Sequence, residues 1–458
     1  MKIIDRARLG ALMQREENDF LAKRPKSAAL FQRAAKSLLG GVPMNWMAKW
    51  AGAFPVFVEK ASGAHFTDVD GHRYVDLCLG DTGAMTGHSP EAAAKAIAEQ
   101  ARRGITLMLP TEDSIFVGEE LARRFGVPFW QFTLTATDAN RFAIRLAREI
   151  TGRKLILVFN YCYHGTVDET FVTLTNGQAG PRRGNLGPPV DPAVTTRVVE
   201  FNDVAALEKA LVAGDVACVL AEPAMTNVGI IHPDAGYHNA LREITRRTGT
   251  LLIIDETHTI CAGPGGYTRA HHLEPDIFVL GKPVASGLPA ATYGFTAEVA
   301  ERIQAHMTLE DCDTGGIGGT LAGNALALAA MRATLEKVLT LAAFEHMIPL
   351  AERFTLGVGE AIQEAGLPWH VTRLGCRAEY LFTPTLPRNG SQAAAAMDFP
   401  LERFMHLYAL NRGILLTPFH NMALMCPATT VEDVDLHTRV FRQAVGELAG
   451  LGSPKQVE

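Results

Sequence analysis

The sequence is poor in cysteine, and its cysteines form no recognisable pattern. Seven occur in 458 residues, none of them in a CxxC pair, at Cys78, Cys162, Cys218, Cys261, Cys312, Cys376 and Cys426. An odd, dispersed set is typical of reduced thiols and not of a disulfide framework or a cysteine-ligated metal site. We therefore predict no structural disulfide and no bound metal.

Other absences exclude further classes of protein. No apolar run approaches the length of a membrane span, and residues 1–20 are too charged for a signal peptide. No basic run suggests a nucleic-acid partner, and the formal net charge is −6. Neither G-x-G-x-x-G nor a Walker A motif is present. These features predict a cytoplasmic enzyme with no nucleic-acid partner and no membrane anchor.

The sequence does contain enough apolar residues for a large core, at 47% of the total. Its length predicts two or more domains, or one large domain with an added lobe. Short apolar runs alternate with amphipathic segments, which indicates a parallel, doubly wound sheet. The predicted buried strands are 155–159, 216–221, 251–254 and 277–280, and the helices between them include 203–212 and 236–248. Residues 173–196 are rich in Gly and Pro and predict a long loop.

Charged residues follow two of these strands at the point where each strand ends. Asp255 comes directly after the strand at 251–254, and Lys282 comes two residues after the strand at 277–280. Ligands of open α/β sheets bind beyond the carboxyl ends of the strands. We therefore expect Asp255 and Lys282 to face one crevice.

A lysine at a strand end is usually a solvated one. Lys282, however, lies between two apolar segments, so we predict that it is partly buried, which favours the neutral amine. A neutral amine can form a Schiff base with a carbonyl. Asp255 is the kind of partner that the pyridine nitrogen of pyridoxal phosphate requires, because a carboxylate keeps that nitrogen protonated. We predict that both residues are catalytic.

The order of the motifs supports this hypothesis. D-E-T at 255–257, P-D at 275–276 and G-K at 281–282 resemble the class III (subgroup II) aminotransferases, which are fold type I pyridoxal phosphate enzymes. The resemblance is to the branch that contains glutamate semialdehyde aminomutase and the β-amino acid aminotransferases. It implies an α/β fold with a mostly parallel, doubly wound, seven-stranded sheet in a large domain at 86–338. It also implies a smaller α+β domain formed by 1–85 and 339–458.

A candidate phosphate site lies at residues 135–139, which read T-A-T-D-A and precede a predicted helix at 141–150. Backbone N–H groups and the dipole at a helix N-terminus both favour an anion. The alternative is a simple helix cap. The segment is similar to the S-G-T-E-A phosphate loop of the resembled family, with Ala136 in place of glycine. The resemblance thus implies that Thr135, Ala136 and Thr137 bind the cofactor.

The resemblance implies further cofactor contacts. Tyr163 and His164 lie in a Y-H-G motif, Glu222 in an E-P motif after the strand at 216–221, and Thr257 beside Asp255. Thr320 lies in a glycine-rich G-T-x-x-G-N motif, in which the family's threonine reaches the cofactor phosphate of the neighbouring subunit. A homodimer is therefore expected, with Thr320 contributed across the interface.

The resemblance also implies the reaction. Lys282 would hold pyridoxal phosphate as a Schiff base and then move a proton between the substrate carbon and the cofactor. Asp255 would keep the ring nitrogen protonated. An amine donor and a keto-acid acceptor, such as pyruvate, would react in turn.

The absence of one arginine from this sequence gives information about the substrate. In glutamate semialdehyde aminomutase an arginine shortly after a G-G-V motif binds the substrate carboxylate. The G-G-V at 40–42 is followed here by Trp46 and Met47, with no arginine nearby. With Phe419, these residues predict an apolar substrate pocket, although such side chains are as often plain core. Arg377 and Arg412 remain as candidate carboxylate ligands.

We therefore predict an ω-amine or β-amino acid transaminase whose donor carries an apolar group. An aminomutase is disfavoured by the missing arginine, while an epimerase or a decarboxylase would retain both Lys282 and Asp255. A non-catalytic ligand-binding relative is disfavoured because both residues are present.

Overall fold

A computed structural model of the chain describes residues 4–306 and 316–451. The α-helices in these residues are, in chain order, α1 (Arg6–Lys23), α2 (Pro25–Ala34), α3 (Glu91–Ala101), α4 (Glu112–Phe125), α5 (Ala136–Thr151), α6 (Val204–Leu211), α7 (Tyr237–Thr248), α8 (Gly266–Ala270), α9 (Ala297–His306), α10 (Ala325–Ala333), α11 (Leu341–Ala365), α12 (Gly390–Ala395), α13 (Phe399–Leu410) and α14 (Val431–Ala449). Within the described part of the chain, no helix is both long enough and apolar enough to span a membrane.

The strands in the same residues are β1 (Val58–Ser62), β2 (His65–Asp68), β3 (Arg73–Asp76), β4 (Phe129–Thr133), β5 (Leu155–Phe159), β6 (Val172–Thr175), β7 (Gln178–Pro181), β8 (Thr196–Val199), β9 (Val216–Ala221), β10 (Leu251–Asp255), β11 (Ile277–Leu280), β12 (Ala291–Phe295), β13 (His370–Leu374), β14 (Arg377–Leu381), β15 (Ile414–Leu415) and β16 (Met422–Leu424).

The chain divides into two compact units, which we call the central unit and the terminal unit. The central unit contains the described residues of Glu91–Leu341 together with Pro387–Ala395. The terminal unit contains those before Glu91, those of Ala342–Leu386, and those after Ala395. The sequence predicted boundaries at 85/86 and 338/339, and it did not predict that 387–395 leaves the terminal unit.

The central unit is built on a seven-stranded sheet with the order β4-β12-β11-β10-β9-β5-β8. The strands from β11 to β8 are parallel, and β12 runs against both of its neighbours. The predicted mostly parallel, seven-stranded α/β sheet is thus confirmed. Parallel neighbours bring their carboxyl ends to one edge, which places the residues after β5, β9, β10 and β11 along that edge.

Both faces of this sheet are covered by helices, which explains why its strands read as continuous apolar runs. Alternate residues of β10 enter different cores: Leu251 and Ile253 pack with α5 and α9, whereas Leu252 and Ile254 pack with α6 and α7. Every residue of β9, β10 and β11 is buried. Burial on both sides fixes the strands, and therefore their ends, firmly in place.

The terminal unit contains a four-stranded sheet, β1-β2-β3-β15, and a three-stranded sheet, β13-β14-β16. Helices α1 and α2 form its N-terminal segment. Phe20 of α1 is fully buried in a core with Phe66 and Tyr74. Between the two helices Arg24 is buried, donating to the Tyr74 hydroxyl at 3.1 Å and the Leu410 carbonyl at 3.2 Å.

Two local predictions differ from the structure. The segment 173–196, expected to be a loop, contains most of the β6–β7 hairpin and the start of β8. Helix α5 begins at Ala136 and not at 141, because Thr135 serves as its N-cap. The six cysteines within the described residues are buried free thiols, and Cys312 lies outside those residues.

Candidate active site

Asp255 is the last residue of β10 and is 3% exposed. Its Oδ2 accepts hydrogen bonds from Asn140 Nδ2 at 2.8 Å and from His164 Nδ1 at 2.9 Å. Its Oδ1 accepts from the backbone N–H of Thr257 at 3.0 Å. The carboxylate is therefore held by groups from α5, from the loop after β5 and from its own chain.

These contacts keep the buried carboxylate ionised. Burial alone raises the pKa of Asp255, but His164, Thr257 and Asn140 outweigh it and bring the pKa down to about 2. Burial opposes the charged form of His164, whereas Cys162 and Asp255 raise the pKa of the imidazole above its usual value. The Asp255 carboxylate thus carries a fixed negative charge and is held in place by the histidine, which suits a protonated pyridine ring.

Lys282 follows β11 and opens the 3-10 turn Lys282–Ala285 with a left-handed φ of 50°. Its side chain is half-buried, as the sequence predicted. The Nζ atom lies 2.6 Å from Nε2 of His258. Asp255 pairs with Val279 in the register of β10 and β11. Lys282 and His258 therefore both lie just beyond the ends of adjacent strands.

The start of α5 lies against the lysine segment and against the loop after β5. A Cβ atom placed on Gly281 would lie 2.9 Å from Cβ of Ala136, and one placed on Gly165 would lie 2.2 Å from Oγ1 of Thr137. The same Thr137 oxygen accepts from the N–H of Thr166 at 3.0 Å. The structure thus brings the predicted phosphate segment beside both the lysine and the Y-H-G motif.

The phosphate segment is the first turn of a regular helix. Thr135 caps it by accepting from the N–H of Asp138 at 3.2 Å, and its hydroxyl donates to the Asp138 carboxylate at 3.0 Å. Residue 136 lies within the helix, so the glycine of the family motif is not required there. The free N–H groups of this turn are suited to an anion.

The other predicted cofactor contacts have separate environments. Tyr163 is half-buried, and its ring packs edge-to-face on Phe171 with centroids 6.1 Å apart. Glu222 is buried after β9 and accepts a short hydrogen bond from the Thr226 hydroxyl. Thr320 is exposed. Its G-T-x-x-G-N motif, at 319–324, lies within the described residues.

Three of the predicted substrate residues cluster in the terminal unit. The rings of Trp46 and Phe419 meet edge-to-face at 5.6 Å, and Met47 is 40% exposed. Lys49 places its Nζ 5.4 Å from the centroid of the Phe419 ring. The sequence analysis did not select Lys49, although it lies only three residues after Trp46.

The fourth predicted substrate residue, Arg377, has no exposed surface and pairs with buried Glu379 at 3.4 Å. Its environment does not support the prediction that it contacts substrate. Arg412 pairs with Glu16 at 2.9 Å and lies over the Tyr408 ring at 3.3 Å. Both guanidinium groups are engaged in internal contacts, a feature that composition and spacing do not reveal.

The structure places two residues that the sequence analysis missed, Asn140 and His258, in contact with Asp255 and Lys282 respectively. Asn140 is buried one helical turn into α5, where it bonds to Asp255. His258 directly follows the D-E-T motif, and that proximity is the only sequence signal it offered.

The central unit thus holds the three groups that pyridoxal phosphate requires: an ionised carboxylate for the ring nitrogen, a lysine for the aldehyde and a helix N-terminus for the phosphate. In addition, Nε2 of His164 and Oδ1 of Asn140 are buried with no hydrogen-bond partner among the described residues. Unpaired buried polar atoms are costly and are expected where a ligand binds. The residues present fit the cofactor.

Comparison with known proteins agrees with this geometry. Residues 46–444 match the family model described as Aminotransferase class-III. A glutamate-1-semialdehyde-aminomutase from Pseudomonas aeruginosa PAO1 is 54% identical, with a TM-score of 0.95 over 97% of this chain and 99% of that one. A lysine-to-alanine variant of the Pseudomonas protein was solved in complex with PMP.

Two further proteins are similar to this chain over most of its length. The glutamate-1-semialdehyde 2,1-aminomutase of Neisseria meningitidis serogroup C / serotype 2a is 32% identical over 421 residues, which is 90% of this chain and 96% of the relative. A β-phenylalanine aminotransferase from Variovorax paradoxus is 25% identical, with a TM-score of 0.85 over 97% of this chain and 99% of that one. The chain therefore belongs to the class III aminotransferase family, has the fold type I transferase fold, and uses pyridoxal phosphate as its cofactor.

Proposed function

We propose that the protein is a transaminase that moves an amino group from an amine or β-amino acid with an apolar substituent to a keto acid such as pyruvate. The observation that carries the chemistry is the presence of Lys282 and ionised Asp255 beyond adjacent strand ends of one sheet. The apolar substituent is inferred from Trp46, Met47 and Phe419.

The cofactor supplies the electron-withdrawing ring and carries the amino group between the two half-reactions. The chain's own residues do the rest. Lys282 would hold the cofactor through its Nζ, and that amine, once freed, would take a proton from the substrate carbon that bears the amino group. Asp255, fixed by Asn140 and His164, would hold the proton on the ring nitrogen.

The remaining site residues are proposed to orient the cofactor. The N–H groups at Thr135, Ala136 and Thr137 would bind its phosphate through the N-terminus of α5. Tyr163 would pack against its ring. The exposed Thr320 would reach the phosphate in a second copy of the chain, in a cytoplasmic homodimer.

The choice of substrate depends on which positively charged side chain binds the substrate carboxylate. Position 47 carries methionine, so a bidentate arginine clamp for a carboxylate is missing there. Lys49, whose Nζ lies 5.4 Å from the centroid of the Phe419 ring, offers a single positive charge beside these residues. We propose that it attracts the carboxylate of the keto acid or β-amino acid, since a lone ammonium serves as a point charge.

A second candidate function is an aminomutase, which moves the amino group within one molecule. The observation in its favour is the name of the 54% identical structure and of the 32% identical relative. The loss of the arginine weighs against it. The two functions differ in what leaves the enzyme: a transaminase releases a carbonyl product after the first half-reaction, whereas an aminomutase returns an isomer without a second substrate.

The absorbance spectrum of the purified protein with a panel of amines and β-amino acids, but no acceptor, tests this proposal. We expect a yellow protein that bleaches with an apolar donor and releases an equal amount of carbonyl product. Lys282→Ala should not turn over, whereas Lys209→Ala, at an exposed lysine, should behave as wild type.

The other outcomes are equally informative. Conversion of glutamate-1-semialdehyde without any acceptor, to the isomer with its amino group on carbon 1, would establish the aminomutase. A yellow protein that none of the tested donors bleaches would indicate an epimerase or a decarboxylase. A protein that stays colourless with added cofactor would refute the assignment of Lys282.

A further inference from the structure

His258 lies against the reacting atom of the lysine, and the resemblance to the family did not point to it. Its Nε2 lies 2.6 Å from Nζ of Lys282, which is a short hydrogen bond between two nitrogens. Such a contact needs a hydrogen on one nitrogen and a lone pair on the other. A lysine ammonium therefore meets a neutral imidazole whose proton is on Nδ1, or a neutral amine meets an Nε2–H.

The nearby carboxylate is poorly placed to share this role. Asp255 already accepts from Asn140, His164 and the N–H of Thr257. Its pKa of about 2 also makes it a weak proton acceptor at neutral pH. An imidazole, by contrast, both accepts and donates protons near pH 7.

Condensation of a lysine with an aldehyde moves two protons from nitrogen to oxygen, because the water that leaves carries both. The ammonium must lose a proton before Nζ can attack, and the hydroxyl formed on the aldehyde carbon must gain one before it leaves as water. A single group that accepts the first proton and donates it to the second site accelerates both steps.

We propose that His258 is a catalytic residue that contacts Nζ of Lys282 and relays the first of these protons. An N–H bond of the ammonium breaks as one forms on Nε2, and Nζ bonds to the aldehyde carbon. The π electrons of the C=O bond move to oxygen, which takes a second proton from Nζ and becomes a hydroxyl. Nε2 then returns the first proton to that hydroxyl, the C–O bond breaks, and water leaves with both hydrogens. The positive charge of the ammonium ends on the C=N nitrogen, so atoms and charge balance without a further reactant. This role rests on Lys282 being the lysine that holds the cofactor, as proposed above.

The test measures attachment of the aldehyde and not turnover. Full-length protein freed of its cofactor is mixed with pyridoxal phosphate, and the adduct is followed by absorbance. Borohydride then fixes the adduct, and peptide mass spectrometry locates it on Lys282. The first variant, His258→Gln, keeps a hydrogen-bonding group that cannot take up or release a proton at neutral pH. The second, His258→Ala, leaves room for free imidazole. His238→Gln is the matched control, because His238 bonds to the Pro223 carbonyl at 2.8 Å.

We expect both His258 variants to form the adduct on the order of 10²-fold more slowly than wild type at neutral pH, the lower end of general acid–base effects. Added imidazole should restore the rate of His258→Ala but not change wild type, His258→Gln or the control. Imidazole rescue is the readout that a packing role would not produce. If His258→Ala does not fold, judged by its melting temperature, the comparison of wild type with His258→Gln decides.

The failures of the two proposals are distinguishable. A wild type whose borohydride-stable adduct is not on Lys282 overturns the assignment of the lysine, and with it the proposed function. A wild-type adduct on Lys282 that forms equally fast in His258→Gln overturns the relay alone. A slow His258→Ala that imidazole does not accelerate also overturns the relay, because the histidine would then act only through packing.

Discussion

Removing the Asp255 carboxylate should destabilise the central unit even without cofactor. In Asp255→Ala, Asn140 Nδ2, His164 Nδ1 and the N–H of Thr257 all lose their acceptor. Hydrogen bonds to a charged group are worth about 1.5–3 kcal/mol each, but losses around one group do not add, and breaking a buried ion pair costs about 3–5 kcal/mol. We take about 3–5 kcal/mol as the expected loss.

Asp255→Asn should cost less, for a reason of geometry. The amide oxygen can replace Oδ2 and still accept from Asn140 and His164. The amide NH₂ then stands where Oδ1 was and faces the N–H of Thr257, a contact between two donors. One lost bond with an unsatisfied donor costs about 1–3 kcal/mol. The cofactor ring, however, would lose its anionic partner in both variants.

Calorimetry of the cofactor-free protein measures the loss of stability in each variant. For a unit of this size, 3–5 kcal/mol corresponds to a drop in melting temperature on the order of 10 °C. Asp276→Asn is the matched control, because Asp276 is also largely buried and accepts from Arg242 at 2.7 and 2.8 Å. Asp276 lies before the start of β11, whereas Asp255 lies at the end of β10. It should lose stability and keep the donor-induced bleaching. An Asp255→Ala protein as stable as wild type, or an Asp255→Asn protein with wild-type turnover, would refute the reasoning.

Three other perturbations have defined outcomes. Gly165→Ala forces a Cβ to within 2.2 Å of Thr137 Oγ1 at a φ of 76°, so we expect cofactor affinity, measured by absorbance titration, to fall at least about 10-fold, with about 1–3 kcal/mol of strain. Lys49→Met should raise the KM for the keto acid with little change in kcat, as steady-state kinetics will show, and an unchanged KM contradicts its role. Burial raises the pKa of Glu402 to about 7 from 4.5, so the folded state holds this proton more tightly and stability falls as pH rises through that window. Glu402→Gln should therefore gain up to about 3 kcal/mol at pH 8 and nothing at pH 4, and equal melting shifts at both pH values would contradict this.

The sheet could be predicted from the sequence because its cause is local. Burial on both faces demands short apolar runs, and β9, β10 and β11 show such runs without interruption. The position of Asp255 and Lys282 at strand ends follows directly from where each run stops. The β6–β7 hairpin was missed because its glycine and proline content resembles that of a loop.

The contacts between side chains could not be predicted in the same way. Asn140 and Asp255 are 115 positions apart, and only the packing of α5 on the sheet makes them neighbours. Arg377 was selected for its charge, but burial beside Glu379 gives it a different partner. Whether an arginine faces a ligand or the core depends on tertiary contacts, which a single sequence does not reveal.

Among the differences between the family's phosphate motif and this chain is Ala136 in place of glycine, and the backbone at this position does not require glycine. Ala136 begins a regular helix, where its Cβ causes no strain. The position that must stay small is Gly281, since a Cβ there would meet Ala136 Cβ at 2.9 Å and its backbone nitrogen at 3.3 Å. The close approach of the two segments thus depends on the residue before the lysine. A glycine in that position lets the turn that carries Lys282 lie directly against the end of the helix that we expect to bind phosphate.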